Sequence, residues 1–198
     1  MDENMIFERR SIRKYRSQIP AFAQLEQILL AGRAAPSGKN RQPWKFYVYG
    51  GEQKQTLLSA MQAGLLRRKE EAGTDAAMRA GLADAVNTLR IMRAAPVLIL
   101  VVYPQGGDPM QALDAQDHVG ELVDVLSIGA AFQNMLLAAR QQGLGSLWIA
   151  NTFFAYPELM AQIKTTGTLM GAVALGYADE APPARPRKPM EEIVEYRL

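Results

Sequence analysis

The stretch APVLILVVYP, residues 95–104, is the part of the chain that decides its fold. After Pro96 it is a continuous run of β-branched and aliphatic residues, without the alternation of polar and apolar positions that a half-exposed strand shows. Such runs are typical of strands that are buried on both faces of a sheet. The sequence therefore predicts a central strand here, covered by other elements on both sides.

Helical and strand-like segments alternate on either side of this strand. Upstream, the spacing of apolar residues predicts helices over 2–9, 20–35, 52–71 and 75–93, and an aromatic-rich strand over 44–51. Downstream, it predicts a helix over 114–142, a short strand in GLGSLWIA, a helix over 156–164 and a glycine-containing strand in TLMGAVALGYA. This alternation predicts one sheet with helices on both faces.

The C-terminal part follows a different pattern. The segment DEAPPARPRKP, residues 179–189, contains four prolines, which favour an extended arm over local packing. The nine residues after it, MEEIVEYRL, are predicted to form a strand. Its partner would lie far away, either within the chain or on another subunit.

The composition excludes several kinds of chemistry. The 198 residues suit one domain, and they include no cysteine and a single histidine, His118. Disulfides, thiolate nucleophiles and multi-histidine metal sites are therefore excluded, and no Gly-x-Ser-x-Gly turn is present to supply the serine of a catalytic triad. The net charge of +2 is too small to indicate nucleic-acid binding by itself. Any redox chemistry must use a bound cofactor.

The sequence also bears on location. The start, MDENMIFERR, lacks the cationic and apolar regions of a signal peptide, so we expect a cytoplasmic protein. The apolar stretch 119–139 is interrupted by Glu121, Asp124, Gln133 and Asn134. We therefore expect a buried or interface helix here and no contact with a membrane.

Two basic stretches are candidates for anion binding. RRSIRKYR, residues 9–16, surrounds the hydroxyl of Ser11 with four arginines and a lysine, and ARPRK, residues 184–188, adds three more cations. Guanidinium groups beside a hydroxyl suit a phosphate monoester, because they hold its oxygens with bidentate, charge-assisted hydrogen bonds. A solvated basic face, or a patch for a polyanion or an anionic membrane, would have the same composition.

The loop RAAPSGKNRQPW, residues 33–44, combines directional polar groups with rigid backbone. Ser37, Asn40 and Gln42 offer donors and acceptors, while Pro36 and Pro43 fix the chain that presents them. Such a loop can bind the edge of a flat heterocycle and a ribityl-like chain. An ordinary connection between a helix and a strand uses the same residue types.

Four motifs in the chain resemble those of one known family. They are RRSIRKY, APSGKNRQPWKFYV, GLGSLWI and LGYADEAPPARPRKP. In this order and approximate spacing they resemble the FMN-dependent nitroreductase family, over nearly the whole chain from Phe7 to about Val194. The resemblance implies a single α+β domain over 1–198, a three-layer α-β-α sandwich whose central mixed, mainly antiparallel sheet is flanked by helices.

The resemblance also implies an intertwined homodimer with a swapped C-terminal segment. The arm from about 180 to 198 would extend over the partner subunit, and FMN would lie at the subunit interface. The helix over 114–142 would then be the central element of the dimer, although a simple core helix would have a similar apolar stripe.

The resemblance assigns the FMN phosphate to the two basic stretches. Arg9 and Ser11 would hold the 5′-phosphate together with an arginine of the tail, and Arg13 would approach the electron-poor end of the isoalloxazine ring. The cofactor-binding residues implied in these stretches are Arg9, Arg10, Ser11, Arg13, Arg185 and Arg187.

Further contacts to the flavin are implied in three other places. From the partner subunit would come the loop residues Pro36, Ser37, Gly38, Asn40 and Gln42. Asn87 and Arg90 would lie near the flavin pyrimidine, and Ala150 and Asn151 would bring backbone amides to N5. ANTFFAYPEL replaces the glycine-containing turn and acid of many relatives, which leaves the N5 contact open.

The implied activity is a ping-pong transfer of two electrons from NADH or NADPH through FMN to a nitroaromatic, a quinone or another small-molecule oxidant. FMN would carry the chemistry, so no catalytic side chain and no metal is expected. Arg67, Arg68, Arg79 and Arg90 either attract an anionic or nitro-bearing substrate or are solvated helix charges.

Three alternatives to this activity remain. One is a non-catalytic FMN-binding or flavin-buffering protein, and another is a specialised relative that cleaves flavin or removes halide. The third is a basic oligomer that binds nucleic acid, although we expect no nucleic-acid partner.

Overall fold

Residues 97–103 form an inner strand of a four-stranded sheet, in a computed structural model that describes residues 5–109 and 115–198. The strands are β1 (Lys45–Tyr49), β2 (Val97–Tyr103), β3 (Gly145–Ile149) and β4 (Thr168–Gly176), in the order β1-β2-β4-β3. All pairs among them are antiparallel. Every residue of β2 is buried, which confirms the predicted central strand.

The described part of the chain contains seven helices. They are α1 (Met5–Glu8), α2 (Phe22–Arg33), α3 (Gly51–Glu71), α4 (Ala76–Ala94), α5 (Ala115–Gln141), α6 (Tyr156–Ile163) and α7 (Met190–Ile193). Short 3-10 turns occupy Gly38–Asn40 and Asn151–Ala155. The predicted helix over 2–9 ends at Glu8 in the structure, and its residues 2–4 lie outside the described residues.

Alternate side chains of β2 point into two separate apolar cores. Leu98, Leu100 and Val102 pack with residues of α3, α4 and α6, whereas the residues between them pack with α2 and α5. Helices therefore cover both faces of the sheet, and the predicted α+β fold of three layers is confirmed.

Helix α5 is the longest apolar element. By length and composition alone, its residues Asp117–Gln141 could cross a membrane, and 44% of the apolar window is buried inside the protein. Core helices of soluble proteins have the same property. Here α5 packs against α2 and β3.

The N-terminal segment joins the sheet and the C-terminal segment. Ser11 forms a parallel bridge with Ser146 of β3, and Tyr15 forms an antiparallel bridge with Ala178. The backbone amide of Arg16 donates to the carbonyl of Tyr177 at 2.9 Å. The two ends of the chain are thereby aligned side by side.

The predicted strand over 190–198 is wrong. Met190–Ile193 forms one helical turn, and irregular chain follows it. Pro189 sets the backbone before the turn, and the amides of Glu192 and Val194 donate to the carbonyls of Pro189 and Met190. Because these groups are satisfied locally, the segment needs no neighbouring strand.

An ion pair between Arg67 of α3 and Glu158 of α6 (Nε to Oε1, 2.6 Å) leads to a prediction about acid stability. The guanidinium lowers the pKa of Glu158 below its usual value of 4.5. Its stabilisation is therefore present above pH 4.5 and is lost as the pH falls through the lowered value. We expect Glu158→Gln to cost about 1 kcal/mol at pH 7.

Urea unfolding at pH 7 and at pH 3 checks this prediction. The difference in the free energy of unfolding between the variant and the wild type should shrink at the lower pH, because the Glu158 carboxylate of the wild type takes up protons as the pH falls. The control is Glu191→Gln, at an exposed glutamate, which should not change the free energy of unfolding at either pH. An equal loss at both pH values would contradict a role for the charge.

Candidate functional site

The two basic stretches meet at one cavity of about 580 Å³, which we call the arginine cavity. The pairing of residues 13–16 with 177–180 brings them together. The sequence-predicted residues that line it are Arg9, Arg10, Ser11, Arg13, Arg185 and Arg187. Among the described residues of the lining there are five arginines and no carboxylate, so the cavity suits an anion.

Arg9 is the clearest sign of a ligand in this cavity. Its Nε is buried and has no hydrogen-bond partner among the residues that the structure describes. A buried donor without a partner is costly, and a phosphate oxygen would satisfy it with a charge-assisted bond.

Two other arginines of the cavity bind backbone instead. The guanidinium of Arg10 donates to the carbonyls of Phe7 and Arg9, and that of Arg187 donates to the carbonyl of Arg185 at 3.1 Å. These contacts fix the chain on both sides of the cavity. Arg10 therefore holds the backbone of the cavity in place as well as adding a positive charge to it.

Arg13 connects the arginine cavity with a second one of about 180 Å³, the α4–β3 cavity. Its guanidinium donates to the carbonyl of Ser11 at 3.0 Å, and its backbone amide donates to a carboxylate oxygen of Glu180. A ligand with an anionic end at Arg9 could extend past Arg13 into the α4–β3 cavity. An elongated molecule with a phosphate at one end fits this arrangement.

The α4–β3 cavity contains three of the remaining predicted residues, namely Asn87, Ala150 and Asn151. The side-chain amide of Asn151 donates to Asp84 at 2.6 Å and to Thr88 at 3.1 Å, which ties the end of β3 to α4. Arg90 is not brought into the cavity. It is exposed, and its guanidinium donates to Asn87 at 2.8 Å.

The loop predicted to cover the ligand lies against α5. The amide of Gly38 donates to Ser127 at 3.2 Å, and Ser37 accepts from the amide of Gln42 at 3.0 Å. None of the five predicted loop residues (Pro36, Ser37, Gly38, Asn40 and Gln42) lines the arginine cavity or the α4–β3 cavity. Within one chain, the loop is therefore apart from the site.

The loop backbone is held in an unusual conformation. Lys39, Asn40 and Gln42 have φ values of 52°, 54° and 49°. Non-glycine residues rarely adopt this left-handed region. The backbone strain persists only where surrounding contacts impose it, and such strained residues are frequent at ligand sites.

Sequence reasoning missed the contact that holds this loop. Arg41 contacts Asp124 of α5 at 2.8 Å, and the hydroxyl of Tyr103 donates to the same carboxylate at 2.8 Å. Burial and this bond to Asp124 raise the pKa of Tyr103 to about 12, so the phenol keeps its proton. In the sequence, Asp124 was visible only as an acid within an apolar helix. Its partners could not be identified there, because Arg41 and Tyr103 are far away in the chain.

Gln133 was also missed as a lining residue of the arginine cavity. It was visible in the sequence only as a polar interruption of the α5 stripe. In the part of the chain that the structure describes, no group of three histidine, aspartate or glutamate residues could hold a metal ion.

Comparisons with known proteins agree with this arrangement. The model of the Nitroreductase family matches residues 6–177. YdjA of Escherichia coli K12, a provisionally named NAD(P)H nitroreductase, is 29% identical over 146 residues, which cover 73% of this chain and 69% of YdjA.

Two solved structures illustrate the structural similarity. A provisionally named nitroreductase from Desulfovibrio desulfuricans, in complex with FMN, is 26% identical with a TM-score of 0.73, covering 98% of this chain and 96% of that one. The FMN-dependent nitroreductase NfnB from Mycobacterium smegmatis, in complex with NADPH, is 18% identical with a TM-score of 0.72, covering 99% and 97%. At that identity, the second similarity shows the fold alone.

Proposed function

The chain belongs to the nitroreductase family, and from that premise we propose that it is an FMN-dependent oxidoreductase. It takes two electrons from NADH or NADPH and passes them to a nitroaromatic, a quinone or another small-molecule oxidant. The donor and the oxidant use the same binding space in turn. The relatives support the cofactor and donor, since YdjA is named for NAD(P)H and the Desulfovibrio structure contains FMN.

The unpartnered Nε of Arg9 is the observation that carries this proposal. It lies in a cavity of five arginines, and one of them, Arg13, also lines the α4–β3 cavity beside Ala150. The 5′-phosphate of FMN would supply the oxygen that Arg9 lacks, and Arg13 would hold the ring on the side of the α4–β3 cavity. The residues present therefore fit the cofactor.

The side chains have positioning and electrostatic roles in this proposal. Arg9 and Ser11 hold the phosphate with an arginine of the tail, and Arg13 places a positive charge beside the ring. A fixed positive charge stabilises a ring that gains electrons. Bound FMN supplies the electron transfer itself, so no side chain has to act as acid or base.

A homodimer completes this site. One face of α5 exposes apolar side chains, namely Val119, Leu122, Val123 and Leu126. The loop over 36–42 lies beside that face, because a Cβ at Gly38 would meet Val123. Pairing of two α5 helices covers the exposed stripe and brings each loop towards the cavity of the partner chain. The C-terminal arm, with Ile193 and Tyr196 exposed, adds to the same interface.

Leu126 tests the dimer, because its side chain is 74% exposed in the single chain. We expect Leu126→Glu to yield monomers, since a charge buried in an apolar interface is costly. Light scattering during gel filtration measures the molecular mass of each variant in solution. Leu66→Glu, at an exposed leucine of α3, is the control and should leave the dimer intact. A wild-type protein that elutes as a monomer would refute the interface.

An absorbance spectrum tests the activity. Flavin bands in the purified protein should bleach under anaerobic NADH or NADPH and return when a quinone or nitroaromatic is added. Bands that never bleach would favour the flavin-buffering alternative. The absence of flavin, even after FMN is added, would refute the proposal.

A further inference from the structure

A separate concave site lies between α3 and α4. Its volume is about 630 Å³, in the usual range for small-molecule sites. Asn87 and Thr88 of α4 line the α4–β3 cavity. Leu82, Val86 and Leu89 of the same helix line this second site, which we call the α3–α4 groove. The groove therefore uses the opposite face of α4 from the proposed flavin site.

The groove has an aliphatic floor and walls. Leu65, Leu82 and Leu89 are nearly buried at its base, whereas Leu66 and Val86 are 54% and 56% exposed. None of the described lining residues is aromatic. A flat aromatic ligand would gain most from stacking, so these walls favour a flexible alkyl chain.

Cations surround this apolar surface. Lys69, Arg79 and Arg93 line the groove, and no aspartate or glutamate occurs among its described lining residues. Arg93 donates to Gln62 across the two helices. Lys69 and Arg79 form no ion pair within the described chain, and both lie at the end of the groove near the short turn between α3 and α4.

An aliphatic trough that has Lys69 and Arg79 at one end, and Arg93 bonded to Gln62 at the other, is complementary to an amphipathic anion. We propose that the α3–α4 groove binds a medium-chain fatty acid, with its alkyl chain along the leucine floor and its carboxylate beside Lys69 and Arg79. This site does not depend on FMN or on the redox activity, because no residue is shared with the arginine cavity or the α4–β3 cavity.

Calorimetric titration of the holoprotein with dodecanoate, kept below its micelle-forming concentration, tests the proposal. Ala83 is exposed and lines the groove, whereas Ala80 is exposed on the same helix outside it. We expect saturation at one dodecanoate per chain in the wild type. Ala83→Glu should weaken binding at least about tenfold by repelling the carboxylate, and Ala80→Glu should leave it unchanged.

A second pair of variants tests the cationic end. Lys69→Gln combined with Arg79→Gln should weaken binding by about tenfold, as expected for two exposed charge contacts. Unchanged melting temperatures of all variants exclude unfolding as the cause. Binding that Ala83→Glu does not alter, or that does not saturate, would overturn the proposal. So would retention on anionic lipid vesicles without binding of free dodecanoate, since a lipid surface would then be the partner.

Discussion

Replacing Arg9 and Ser11 together with alanine is expected to abolish retention of FMN through gel filtration. Arg9 brings a buried guanidinium N–H without a partner, and Ser11 lines the same cavity. Charge-assisted hydrogen bonds contribute about 1.5–3 kcal/mol each. Two such contacts correspond to an affinity for FMN that is lower by about 10²–10⁴-fold.

Riboflavin makes this test specific, because it has the same ring and no phosphate. In the wild type, FMN should bind much more tightly than riboflavin in a flavin-fluorescence titration. In the double variant, the preference for FMN should almost disappear, while riboflavin binding changes little. Lys14→Ala removes an exposed cation from the same stretch and should preserve the preference. A double variant that still prefers FMN would contradict the assignment of the phosphate.

Gly171→Ala is expected to destabilise the protein strongly. Gly171 lies in β4 with φ at +140°, and a Cβ there would approach the carbonyl oxygen of Ile149 to 2.6 Å. This is also where the register between β2 and β4 shifts, at Val101 and Val102. Neither the backbone conformation nor the space allows a side chain.

We expect a loss of about 3–5 kcal/mol, which combines backbone strain with displacement of β3. Urea unfolding measures it. Gly107→Ala is the matched control, since its added Cβ would meet nothing within 4 Å. A loss below about 1 kcal/mol at Gly171 would show that the bulge can relax. Because β3 leads directly to Ala150 and Asn151, the same change should also weaken FMN binding.

Structural features that depend on neighbouring residues in the chain could be predicted from the sequence. The run after Pro96 predicted β2 because a strand buried on both faces needs apolar residues at every position. The motif around Ser11 predicted a phosphate site, and its residues line one cavity because they are adjacent in the chain, while the contact with phosphate stays a prediction.

Contacts between distant residues could not be predicted. Arg41 and Asp124 carry no mark in the sequence that pairs them, and only the packing of the loop on α5 brings them together. The final segment was misassigned because nine residues are too few for the spacing of their apolar positions to distinguish a strand from a helical turn. Hydrogen bonds near Pro189 decided the outcome.

The alignment of residues 13–16 with 177–180 has a consequence for how the protein folds. Arg9 and Arg185 face one cavity only after the chain has closed almost its full length into a loop, and contacts of such large sequence separation form slowly. A partly folded chain in which the two ends have not met therefore lacks the proposed phosphate site. If FMN binds there, its uptake should lag behind the formation of helices during refolding, and saturating FMN should raise the midpoint of unfolding.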